Sequence, residues 1–168
     1  MGKKLGSWSG MRRYLEREML AESLRGRVRY GCTRYVGMDN CRIFEICIDG
    51  TQVKRFSWET VNSYFIAQGW APKAERMSIP DYWDGFWTLL EQHPMESRTE
   101  YTDGEFCRAL EEYRNQDVQK SLCSPDPIVR MFAVLDRRVG VRSLEVLRDS
   151  MESQPEWLRT FYRLRLQA

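Results

Sequence analysis

The dipeptide Asp49-Gly50 constrains this chain more than any other feature. A two-residue hairpin turn needs consecutive residues with positive φ, and Asp-Gly supplies them at low steric cost. Before it, Arg42–Ile48 places Phe44, Ile46 and Ile48 on one face. After it, Thr51–Phe56 has strand-forming composition. The two runs are predicted to pair antiparallel around Asp49-Gly50. Upstream, Arg27–Tyr35 sets Val28, Tyr30 and Cys32 against Arg27, Arg29 and Thr33, the alternation of a strand with one face in water. The Gly37-Met38-Asp39-Asn40 segment reads as the turn between these strands. A small antiparallel sheet of about three strands is therefore expected.

Helices are predicted on both sides of this sheet. Met11, Leu15 and Met19 repeat every four residues in a first helix over Ser9–Ser23, with Ser7 or Ser9 as its cap. Val61, Tyr64 and Phe65 lie at helical spacing before the stop at Gly69. Pro80 opens a helix whose Tyr82, Trp83, Phe86, Trp87 and Leu90 are expected to be buried. Further helices carry Phe106, Leu110 and Tyr113 behind a cap at Asp103, then Val118 and Leu122, then Asp126-Pro127 through Leu135. The last two are expected over Val141–Met151 and from Pro155 through Leu164. The fold class is thus α+β: an N-terminal helix and small antiparallel sheet, then an α-helical C-terminal half. The irregular Met95–Tyr101 stretch suggests a boundary between residues 1–94, an α+β segment with the hairpin, and residues 95–168, a helical segment packed on it.

Composition excludes several classes. Apolar residues at 42% and charged residues at 30% describe a globular chain of one domain's size. The longest strongly apolar run, Met131–Leu135, falls far short of the ~20 residues of a membrane span. The opening MGKKLGSWSG has no apolar stretch after its lysines, so no secretory leader is read there, and Gly6 stands where a myristoylation signal needs Ser or Thr. Five cysteines, an odd number without C-x-x-C spacing, suggest free thiols in a reducing cytoplasm. Net charge is +2, unevenly spread: residues 1–60 hold 12 Lys/Arg against 7 Asp/Glu, and residues 61–125 hold 6 against 11.

The segments Ser23-Leu24-Arg25-Gly26-Arg27-Val28, Thr33-Arg34-Tyr35 and Ile48-Asp49-Gly50 resemble the front of a group of small uncharacterised bacterial proteins. So do Asp126-Pro127-Ile128-Val129-Arg130, Leu135-Asp136-Arg137-Arg138-Val139-Gly140 and the closing Trp157-Leu158-Arg159 and Leu164-Arg165-Leu166. The resemblance runs end to end and implies a bacterial, cytosolic, stand-alone protein, with no catalytic residue carried across. A faint echo between Pro127–Phe132 and Pro155–Phe161 gives the helical half a HEAT-like flavour, although two copies are too few for a solenoid.

Chemistry-bearing motifs are sparse. His93 is the only histidine, which leaves no zinc-ligand cluster and suits a helix end. Gly6-Ser7-Trp8-Ser9-Gly10 lacks the serine placement of a nucleophile elbow, and no phosphate-cradling glycine loop is present. Asp81 and Asp84 flank aromatic rings, an arrangement usable by a small hydrolase together with His93, but better suited to a helix start. No cofactor is expected. Arg25, Arg27 and Arg29, with Arg42 and Lys54 on the neighbouring strands, are the candidate binding residues, read as one cationic sheet face. The expectation is a non-enzymatic module, an adaptor or immunity-type protein, that binds a protein partner. The alternatives are RNA or DNA binding through the same basic face and an Asp/His hydrolase.

Overall fold

The computed structural model describes residues 6–35, 41–71 and 77–168. The hairpin forms where predicted: β2 spans Arg42–Ile48 and β3 spans Thr51–Phe56, joined by Asp49 at φ 49° and Gly50 at φ 84°. β1 covers Val28–Arg34 and pairs antiparallel with β2, giving the order β1-β2-β3. Ile46 faces Lys54 and Cys47 faces Gln52, so Val53 bulges out of register. The predicted turn at residues 37–40 lies outside the described residues.

Ser7 caps α1, Trp8–Arg13, by accepting the Gly10 amide. The helix continues as a π-helical turn, Tyr14–Glu18, and stops there, short of the predicted Ser23; a 3₁₀ turn follows at Glu22–Leu24. Met11 and Leu15 are buried. α2, Trp58–Ala67, and α3, Ile79–Gln92, form a helical pair with its own small core of Val61, Phe65 and Phe86. Trp58 meets Trp83 edge-on at 4.7 Å, and Trp70 stacks flat on His93 at 3.7 Å.

The helical half contains α4 (Asp103–Asn115), α5 (Val118–Leu122), α6 (Pro127–Leu135), α7 (Val141–Val146), α8 (Arg148–Glu152) and α9 (Glu156–Gln167). The expected helix over Val141–Met151 is broken at Leu147. Thr102, rather than Asp103, caps α4, in a capping box with Glu105. α6 is the central element: all but Arg130 of its residues are buried, and it packs on α4, α5 and α9. Phe106 of α4 stacks on Phe44 at 4.4 Å, touches Phe56 at 4.9 Å and meets Phe132 of α6 at 5.5 Å. Two rings thus join sheet to helices, and the main core draws on residues from both sides of Met95.

Trp87 corrects the sequence reading. Expected to be buried, it is 56% exposed, whereas Phe86 is 2% exposed. α3 packs on one partner helix, so only a narrow arc of its aromatic surface is covered. Trp87→Ala is expected to change stability by less than about 1 kcal/mol, and Phe86→Ala to cost about 3–5 kcal/mol. Urea unfolding of the two variants checks both values.

Candidate functional site

The five cations singled out by the sequence do not share one surface. Lys54 lies on the core side of the sheet, opposite Ile46, and is 6% exposed. Its ammonium donates to the Thr99 carbonyl and, at 2.9 Å, to the Glu100 carboxylate. The rings of Trp157 and Tyr101 lie 5.1 and 5.3 Å from it. Burial pushes its pKa down, against the pull of Glu100. Lys54 is thus a structural cation, satisfied by one carboxylate, one carbonyl and aromatic faces.

Arg42 opens β2, with its guanidinium carbon 5.5 Å from the centre of the Phe44 ring and its amide donating to Asp103 at 3.3 Å. Arg27 is committed to the hairpin turn: its Nε and Nη2 donate to the two Asp49 oxygens at 3.0 and 2.8 Å. This fork holds the Asp49 carboxyl below its ordinary pKa.

Arg25 and Arg29 do converge, and Arg17 joins them. The three line an open groove of about 430 Å³ together with Glu16, Gly26 and Val28. Three different local structures bring them there. Arg17 sits in the π-helical turn, Arg25 follows the 3₁₀ turn, and Arg29 is on the wet face of β1. The reversal between Arg25 and β1 uses Gly26 at φ 82°, a conformation that strains any side chain with a Cβ. Among the described residues, no carboxylate lies within 4 Å of the Arg17 or Arg29 guanidinium, and Arg25 reaches Glu22 only at 3.8 Å. Glu16, also in the lining, is paired with Arg12, whose Nε donates to its Oε1 at 3.0 Å, and the same oxygen accepts the Tyr30 amide at 2.7 Å. The groove therefore carries three cations with unused fork edges.

Arg17 is not among the binding residues that the sequence singles out. The strand pattern held the signal that separates Lys54: it lies two residues before Phe56 and so points the same way. The acid and histidine candidates do not meet. Asp81 sits in the first turn of α3 and accepts from Ser78, while His93 follows its last turn, about 18 Å along the axis at 1.5 Å per residue. Among the described residues, no group of three or more His, Cys, Asp or Glu is placed to hold a metal ion, and no helix is long and apolar enough to cross a membrane. All five cysteines are free; burial raises the thiol pKa of Cys32 and Cys107, and Cys123 is exposed.

The chain belongs to the SF0329 protein family, whose model matches residues 7–166. No curated protein and no solved structure matches it.

Two charge reversals separate core from surface. Lys54→Glu places a second carboxylate beside Glu100 inside the protein and is expected to cost about 3–5 kcal/mol. Arg29→Glu alters only solvent-exposed charge and is expected to stay within about 0.5 kcal/mol of wild type. Thermal and urea unfolding at one salt concentration measure both. Iodoacetamide should modify Cys123 first in the native protein and Cys32 and Cys107 last, which peptide mass mapping over time reads directly.

Proposed function

We propose that this chain is a non-enzymatic protein-binding module, of the adaptor or immunity type, that engages an acidic partner through the Arg17, Arg25 and Arg29 groove. One observation carries the reading: three guanidinium groups from separate elements line one concavity, none of them within hydrogen-bond reach of a carboxylate among the described residues. Arginine forks match carboxylates in pairs, and a positive concavity speeds encounter with an acidic surface. The five free thiols support a reducing, cytosolic setting of the kind expected for a bacterial protein of this size. The packing of α6 on α9 supports a HEAT-like reading of the helical half.

Nucleic acid is the competing ligand for any arginine cluster, and the test separates the two. Wild type and an Arg17→Glu/Arg25→Glu/Arg29→Glu variant are immobilised and exposed to extract of the source cells, with and without nuclease treatment. The expected result is a discrete acidic polypeptide held by wild type, released by salt and absent from a variant that unfolds at the same midpoint. Material that nuclease removes, or that the variant retains equally, overturns the reading.

A further inference from the structure

A second arginine cluster is built from residues that take no part in the groove above. Two backbone bonds bring the distant parts of the chain together: Arg137 N–H donates to the Met19 carbonyl at 2.7 Å, and Ala21 N–H to the Leu135 carbonyl at 2.9 Å. They pin the segment before β1 onto the end of α6. The junction encloses an open pocket of about 510 Å³, lined by Ala21, Glu22, Ser23, Arg137, Arg138 and Arg165.

Two of its three guanidinium groups are held in position from behind. Asp136, 1% exposed, accepts Arg138 Nε at 3.0 Å and Nη2 at 2.7 Å, takes the Arg138 amide at 2.8 Å, and receives the Tyr113 hydroxyl. That carboxylate fixes one edge of Arg138 and leaves Nη1 available. Arg165, from α9, donates Nη2 to the Val139 carbonyl at 2.8 Å, and its Nε is buried without a partner among the described residues. Arg137 is exposed, and no carboxylate among the described residues approaches it within 4 Å. The acid of the lining, Glu22, extends into solvent with its side chain 80% exposed. The pocket is therefore lined by three cations, one of them paired with the buried Asp136, and by the outward Glu22, with the Ser23 hydroxyl as a further donor.

We propose that the pocket lined by Ser23, Arg137, Arg138 and Arg165 binds a phosphate dianion, either free or as the terminal group of a small monoester. A tetrahedral dianion offers several acceptor oxygens to fork-shaped donors, and donors anchored in advance lose little freedom on binding it. The pocket's size lies in the lower part of the range for small-molecule clefts and leaves room beyond the phosphate itself. The proposal does not rest on the acidic-partner reading.

The test follows the arginine Nε–Hε resonances by NMR as inorganic phosphate, and separately ribose 5-phosphate, is added at constant ionic strength against a sodium chloride control. Saturable shifts confined to Arg137, Arg138 and Arg165 are expected. Arg137→Glu, on a surface side chain outside the Asp136 network, should weaken binding at least about tenfold while leaving the unfolding midpoint in chloride unchanged. Similar affinities for both probes assign the site to the free anion; a tenfold preference for ribose 5-phosphate assigns it to monoesters. Shifts that grow linearly and match the chloride control, that centre on Arg17 and Arg29, or that survive Arg137→Glu overturn the proposal.

Discussion

The ion pair between Arg98 and Glu105 holds the two apolar cores in one arrangement. Arg98 is 2% exposed and Glu105 9%, so each charge is taken out of water. Such a pair stabilises only when every remaining donor and acceptor is met. Here Nε donates to the His93 carbonyl at 2.8 Å, and Nη1 reaches both the Glu100 carbonyl and the Glu105 carboxylate. Glu105 also takes the Thr102 amide at 2.8 Å, so the same carboxylate completes the cap of α4. The Arg98 carbonyl accepts the Tyr101 hydroxyl, and the Tyr101 carbonyl accepts the Ser57 amide. The end of α3, the start of α4, the start of α2 and the ring behind Lys54 are thereby tied to one guanidinium.

The sheet was legible because its determinants are local. Asp49-Gly50 sets its own turn, and alternation over seven residues sets the faces. The candidate site was harder to read, because a charged side chain can share the parity of the core face. Lys54 shares the parity of Phe56, and Arg42 that of Phe44, whereas Arg29 takes the opposite face between Val28 and Tyr30. The inward lysine is tolerated because Glu100, forty-six residues away, meets it, and no local pattern announces that distance. Trp87 shows the complementary limit. Periodicity marks an aromatic arc on α3, but the width of that arc actually covered depends on how many elements pack against it.

Charge segregation along the chain resolves into two different outcomes. Part of the acidic middle turns inward: Glu100 serves Lys54 and Glu105 serves Arg98. The α2–α3 pair keeps the rest outside, for Glu59, Asp81, Asp84 and Glu91 are all exposed and neither helix contains a Lys or Arg. The basic front behaves similarly, with Arg12 and Arg27 paired locally while Arg17 and Arg29 face solvent. A near-neutral total thus conceals a molecule with distinct positive and negative regions.

The bond from the Tyr30 amide to Glu16 also bears on assembly. β1 is an outer strand, and an outer strand normally presents open amides to any extended chain that drifts past. At Tyr30 that opening is stoppered by a carboxylate borne on the π-helical turn, itself steadied by Arg12. A peptide seeking to lengthen the sheet along this border would have to evict Glu16 and strand its charge. The irregular turn in the first helix therefore does more than connect: it occupies the Tyr30 position on that border, where an added strand would otherwise bond.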